Sequence, residues 1–280
     1  MVYDGTKAGL NEVIWVPRFP LPTVDMLMRA VDTDTYTSNP DIGEMFLNFV
    51  LHESMQALCG VDLTNYFGEG EVLWERWTRA VMGLKSSPYQ AVQAILVAKE
   101  VIRGDRADQG NAFRWDTVRL NLPGSKEYDP GLPWVSKIRL SDGRLAADIF
   151  IYVDDARVTA PSKDDCWKAT CQAAYTVNSL GIQEAARKRR WGTKRPGAWA
   201  GSIVESTDEG VFVTVSQEKW EKSRRYIGEI ISELKASNGV LEFKGLERKR
   251  GFLIYVTRTY PSMVPYLKSI HQTLDSWRPN

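Results

Sequence analysis

Sulfur and imidazole are scarce in this chain. Its 280 residues hold three cysteines (Cys59, Cys166 and Cys171) and two histidines (His52 and His271), too few and too scattered for a disulfide framework or a zinc site. A reducing, intracellular setting follows, cytoplasm or nucleus. Neither sign of charge dominates: 36 Lys plus Arg face 35 Asp plus Glu, so bulk charge neither announces nor excludes a nucleic-acid partner, and local clusters must decide. No apolar run approaches the roughly 20 residues of a membrane-spanning helix. The stretch from Met1 to Gly9 also lacks the basic start and apolar core of a signal peptide. Secretion and a membrane partner are therefore not expected. Repeats and low-complexity tracts are missing too.

What is present is ordinary globular composition, 43% hydrophobic and 25% charged, enough for one large domain or two modest ones. Pro17, Pro20 and Pro22 predict an irregular or extended start, followed by a helix from Val24 to Val31. After Asp41, the residues Met45, Phe46, Phe49 and Val50 recur at helical spacing, and the Leu73 to Ala80 and Ala91 to Ile102 regions also read as helical. Gly104 to Gly143 carries many turn formers and reads as a long, partly structured insertion, to which no function is assigned. Ser162, with Asp165 three residues on, forms a capping box opening a helix that Gly181 closes. Ser216 opens a second capped helix with Trp220, Ile227, Ile230, Ile231 and Leu234 on one side, stopping at Asn238-Gly239. A third from about Phe243 to Tyr260 and a fourth beyond Pro261 complete an all-helical C-terminal unit, with a short apolar strand before Ser216.

The sharpest local feature is the β-branched and aromatic run Ile149–Val153, then Asp154-Asp155, then Ala156–Ala160. This pattern predicts two short strands joined by a tight turn made of the two aspartates. Nothing local rewards two adjacent negative charges where Asn-Gly would serve, whereas a bound cation would. Magnesium, which takes oxygen ligands and keeps substrate phosphates in its shell, suits carboxylates at a strand end.

Taken in order, these pieces resemble the polymerase core of reverse transcriptases. Tyr152-Val153-Asp154-Asp155 matches the family's Tyr-x-Asp-Asp motif, and Asp41-Ile42-Gly43-Glu44-Met45-Phe46 looks like its first motif. Met82-Gly83-Leu84-Lys85-Ser86-Ser87-Pro88 is similar to the glycine and Ser-Pro motif, placed against template and incoming nucleotide. Leu180-Gly181-Ile182 leading to Lys188 fits the fourth motif, and Trp199-Ala200-Gly201-Ser202 fits the primer-grip hairpin. Near the start, Val2-Tyr3-Asp4 to Leu10-Asn11, then Phe19-Pro20-Leu21-Pro22, resembles the end of the fingers. The C-terminal helices look most like the thumb of retrotransposon enzymes, those mobilised with a tyrosine recombinase among them.

The resemblance implies an α+β fold: a polymerase palm of antiparallel sheet backed by helices, with partial fingers (1–30), a palm with finger insertions (31–208) and an α-helical thumb (209–280). The basic finger residues that usually embrace the triphosphate would lie before Met1. It implies an RNA-directed DNA polymerase that extends a DNA or RNA primer on an RNA template from dNTPs. Two Mg2+ ions, with Mn2+ as an alternative, would be held by Asp41, Asp154, Asp155 and the Ile42 backbone. Gly43, Glu44, Phe46, Met82 and Gly83 would form the nucleotide site, Phe46 acting as a bulky gate against the 2′-hydroxyl. Lys188 is the candidate proton donor to pyrophosphate. Primer and template contacts fall to Tyr152, Val153, Lys85, Ser87, Pro88, Trp199, Ala200 and Gly201. Lys244, Arg248, Lys249 and Arg250 give the third C-terminal helix a basic patch for the duplex backbone. An RNA-dependent RNA polymerase and a decayed or domesticated nucleic-acid-binding remnant are the rival readings. Pro40, directly before Asp41, stands where the family has an apolar strand.

Overall fold

A computed structural model describes every residue except 1–2, 20–23, 29, 68–69, 71–72 and 277–280. Val2, Pro20, Leu21 and Pro22 of the fingers resemblance thus lie outside the described residues. Helices and antiparallel strands mix in an α+β fold. The chain divides into two compact units, one of residues 1–21, 35–120 and 135–193, the other of 22–34, 121–134 and 194–280. Among the described residues no helix is long and apolar enough to cross a membrane.

The first unit is built on a three-stranded sheet in the order Tyr36–Ser38, Asp155–Ala160, Asp148–Tyr152. Alternation along the hairpin sends Ile149, Ile151, Ala156 and Val158 into one core with Ile95, Ala98 and Ile102 of the Ser87–Arg103 helix. Ala169, Ala173 and Val177 of the Lys163–Ser179 helix complete that core, and the small alanines let the helix lie close. Each fully buried Ile or Val contributes about 1.5–3 kcal/mol, so this layer holds the sheet in register. Ser162 caps the second helix as the sequence predicts: its Oγ accepts from the Asp165 N–H at 3.1 Å and donates to the Asp165 carboxylate at 2.8 Å.

Three local expectations need correction. The Leu73 to Ala80 region is not helical: Trp74–Arg76 is a strand paired with Gly60–Asp62, and Thr78 and Ala80 exchange backbone bonds with Leu51 and Phe49. Helical spacing of its apolar residues loses to strand pairing available elsewhere in the fold. The helix expected around Met45 to Val50 is a single 3-10 turn, Met45–Asn48, because Phe49 turns extended to meet Ala80. The turn of the aspartate hairpin is Val153-Asp154, since Asp155 is already a strand residue opposite Tyr152. Within the Gly104 to Gly143 segment, Thr117–Leu120 pairs with Val135–Ile138.

The second unit carries a sheet in the order Val211–Thr214, Ser202–Ser206, Gly197–Trp199, then the helices Gln217–Ala236, Phe243–Thr257 and Lys268–Ser276, with a 3-10 stretch Pro261–Leu267 before the last. Ile230, Leu246, Leu253, Leu267 and Leu274 form its helical core. Lys249, expected in the exposed basic patch, is instead buried at 3% exposure and paired with Glu233 at 2.5 Å and Glu229 at 3.3 Å. Its position faces the Gln217–Ala236 helix, so its charge locks two helices together. Lys244 and Arg248 remain exposed.

Candidate active site

Pro40 interrupts the first strand, because it has no N–H to give to the ladder. Pairing ends at Ser38 opposite Val158 and resumes as a single bridge of Asp41 with Asp155. On its other side this short segment pairs with 183–185: the Ala185 N–H donates to the Asp41 carbonyl at 2.9 Å and the Gly43 N–H to the Gln183 carbonyl at 2.8 Å. Asp41 is thus held between the hairpin and the residues after Gly181, although 114 positions separate it from Asp155 and 144 from Ala185.

The hairpin presents Asp154 at its tip, exposed. Val153 takes a left-handed conformation, φ 57°, the one positive φ that a II′-type turn asks of its first central residue. A β-branched side chain there is strained, at a cost of about 1–3 kcal/mol. The surrounding pairs, Tyr152 with Asp155 and Ile151 with Ala156, impose it.

Asp41 and Asp154 open on one cleft of about 780 Å³, lined also by Ile42, Gly43, Glu44, Phe46, Met82 and Lys188. The Lys188 ammonium lies 2.5 Å from Asp41 Oδ2, with the side chains 55% and 28% exposed. Glu44, at φ 46°, is left-handed, and Phe46 is half-buried between the two apolar clusters of this unit. The basic run after Ala186 divides its work. Arg189 pairs with buried Glu184 at 2.7 Å, a hydrogen bond that holds its pKa above the ordinary arginine value. Arg190 donates to the Arg187 and Arg189 carbonyls, while Arg187 and Lys188 face the cleft.

No family model matches this sequence, and no curated protein does. Among solved structures, a foamy viral protease-reverse transcriptase in complex with double-stranded DNA aligns with a TM-score of 0.57 at 13% identity. The alignment covers 97% of this chain and 36% of that one, so the chain spans about a third of the neighbour's length. The chain has a reverse-transcriptase-like fold.

Within this reverse-transcriptase-like fold, the expected site residues fall into three groups. Asp41, Ile42, Gly43, Glu44, Phe46, Met82, Asp154 and Lys188 line the cleft together. Asp155 does not: two residues before Arg157 on the same strand face, it raises that guanidinium's pKa, against the burial that brings it down to about 10. Tyr152 and Val153 are half-buried behind the tip. Gly83, at φ 102°, shapes the loop after Met82, Lys85 and Pro88 are exposed, and Ser87 is wholly buried at the start of its helix. Trp199, Ala200 and Gly201 belong to the second unit, where Trp199 is buried and the turn residues Ala200 and Gly201 have φ 47° and 82°. The Gly201 carbonyl accepts from the Lys219 ammonium and the Tyr255 hydroxyl, both at 2.9 Å.

Among the described residues no three Asp, Glu, His or Cys side chains form a group able to hold a metal ion unaided. Two carboxylates, Asp41 and Asp154, with the Ile42 backbone beside them, are nonetheless an all-oxygen donor set, which suits a magnesium ion whose shell is completed by phosphates and water.

Sequence reasoning missed three polar residues that shape the site. Asn11 donates to the Gly83 carbonyl and accepts from the Lys85 N–H, both at 2.8 Å, clamping that loop. Arg157, fully buried, donates to the Asn39 side chain at 3.0 Å and so links the segment before Asp41 to the hairpin. Asn48 binds the turn before Phe46. Single asparagines and one arginine in a strand carry no sequence pattern, so only their partners reveal them.

Proposed function

We propose that this chain is the polymerase core of an RNA-directed DNA polymerase, its first unit supplying the palm and its second the primer grip and thumb. One observation supports the reading above the rest: Asp41 is bridged to Asp155 and shares a cleft with Asp154, Phe46 and Lys188. Residues far apart in the sequence thus line one cleft. Template RNA, a DNA or RNA primer and dNTPs are the proposed partners.

In this reading Asp41, Asp154 and the Ile42 carbonyl would hold two magnesium ions, or manganese in their place, with Asp155 supporting from behind. When bound, the ions would supply charge neutralisation at the transferring phosphoryl group. Asp41 and Asp154 would set where the primer 3′-hydroxyl meets the α-phosphorus; the new O–P bond forms as the α–β phosphoanhydride breaks, with the hydroxyl proton passing to water and pyrophosphate leaving. Lys188, at the edge of the cleft and paired with Asp41, is the proposed proton donor to the departing pyrophosphate. Phe46 walls the sugar position, while Gly43, Glu44, Met82 and Gly83 shape the nucleotide's bed. Tyr152 and Val153 back the primer end. Lys85, Ser87 and Pro88 carry the template side, and Trp199, Ala200 and Gly201 steady the primer. Exposed Lys244 and Arg248 hold the duplex backbone by charge without reading sequence.

Primer extension on an RNA template with magnesium tests the proposal, with dNTPs and NTPs side by side and Asp154→Asn as control. Extension by the wild type with dNTPs and none by the variant is expected. Preferred use of NTPs would make it an RNA polymerase; a folded, duplex-binding protein that extends nothing would make it a binding module.

A further inference from the structure

We infer that Asn48 is a positioning residue that sets the Phe46 ring for discrimination between deoxy- and ribonucleotides, an inference that rests on the polymerase reading. The backbone from Gly43 to Asn48 makes an unusual path: Glu44 is left-handed at φ 46° and ψ 51°, and one 3-10 turn follows. Such a turn gathers several carbonyls on its inner side, and each needs a donor. Asn48 Nδ2 supplies two of them, donating to the Gly43 carbonyl at 2.9 Å and the Met45 carbonyl at 3.1 Å, while the Glu44 carbonyl, 3.4 Å from the same nitrogen, accepts from the Leu47 N–H at 2.8 Å.

The other end of the same amide works outward. Asn48 Oδ1 accepts from the Gln183 N–H at 2.8 Å, on the segment whose carbonyl and N–H groups also bind Gly43 and Asp41. One side chain therefore ties the Phe46 turn to the register that places Asp41. Phe46 lies inside the clamped stretch and lines the cleft. Apolar packing is not directional, so its two flanking clusters would let the ring slide by fractions of an ångström. The directional amide contacts forbid that. A gate that separates substrates differing by one hydroxyl needs such fixity, because small displacements of a positioned group change rates steeply.

The test uses the full chain on a primed RNA template, comparing kcat/KM for dATP and ATP. Wild type, Asn48→Ala, Phe46→Val and the double variant form a cycle. Asn48→Ala is expected to lower the dATP/ATP ratio on the order of tenfold. The double variant should be no less selective than Phe46→Val alone, since Asn48 acts through the ring. Amide exchange at residues 44–47 should quicken in Asn48→Ala with no change in distant segments. Asn48→Asp keeps the acceptor for Gln183 but sets a carboxylate against three carbonyls; it should show the same loss, and it serves if the alanine variant does not fold. An unchanged ratio in Asn48→Ala while the wild type extends with dATP, or additive losses in the double variant, overturns the inference alone. No extension by wild type overturns the polymerase reading and the inference with it.

Discussion

The hairpin turning at Val153-Asp154 and the hairpin turning at Ala200-Gly201 each join two antiparallel strands by two residues; a serine-capped helix follows the first directly and the second after one more strand, Val211–Thr214. The second has φ 47° at Ala200 and 82° at Gly201, so glycine takes one of its two positive-φ positions without steric cost. The first puts a β-branched valine at φ 57° and an exposed aspartate beside it, next to a second aspartate in the strand. Both turns hold a non-glycine residue at positive φ, but only the first makes it a β-branched one. The difference teaches where local preference stops being sufficient: a strained β-branched residue and closely spaced carboxylates gather at the cleft, whereas the turn of the second hairpin carries no charge of its own.

Breaking the first hairpin's chemistry gives the largest effect. Asp154→Asn removes one exposed carboxylate, and primer extension should fall by about a thousandfold. Chemical denaturation should find its stability within about 0.5 kcal/mol of wild type. A variant that extends normally would reduce the first hairpin to an ordinary surface turn.

Next in size is the second hairpin's geometry. A Cβ at Gly201 would collide with the Tyr255 hydroxyl, on a backbone at φ 82°. Gly201→Ala should therefore cost about 2–3 kcal/mol of stability. Unfolding midpoints in urea check it, and a neutral result would deny the turn its structural role.

The caps after the hairpins give a smaller and pH-dependent contrast. Asp165 is partly desolvated, which favours its protonated form, but hydrogen bonds from Ser162 and Arg139 outweigh this and hold its pKa below the ordinary aspartate value. A depressed carboxylate contributes stability above its unfolded pKa and loses it as pH falls through the folded one. Asp165→Asn should cost about 1 kcal/mol at neutral pH, and the gap to wild type should close below about pH 4. The helix after the second hairpin has Lys219 at that position, bonded through its N–H to Ser216 at 3.4 Å, so it adds no such acid limb. Melting temperatures across pH 2–7 separate the two.

The smallest shift is expected for Val153→Gly. Relief of left-handed strain, about 1–2 kcal/mol, is offset by glycine's chain entropy and by lost packing of the valine on the core, so stability should move by less than about 1 kcal/mol. Extension should nonetheless drop, as the tip loses its fixed direction. A loss of stability well above that range would mean that the valine serves folding instead.

Much of this was legible in the sequence because it depends on neighbours along the chain. The Ser162 and Ser216 caps, the strand pair of Ile149 to Ala160 and the apolar face of the 163–179 helix follow from spacing alone, whereas of the face expected on the 217–236 helix only Ile230 is buried and Trp220, Ile227, Ile231 and Leu234 are exposed. What misled was local pattern overridden from a distance. Trp74–Arg76 pairs with Gly60–Asp62, Lys249 turns inward to Glu229 and Glu233, and Val153 takes the turn position expected of Asp155. Each reversal is decided by a partner that no short window contains.

The sequence by itself determined the residues available for chemistry, the helices and the strand pair that bears Asp154, since propensity, capping and alternation act over a few residues. Only the tertiary structure decided that Asp41 stands opposite Asp155, that Lys188 lies against Asp41, and that Asn11, Asn48 and Arg157 hold the surrounding loops. Those pairings join residues far apart in the chain, and the free energy that selects them comes from burying the common core, which becomes available only when the whole unit closes.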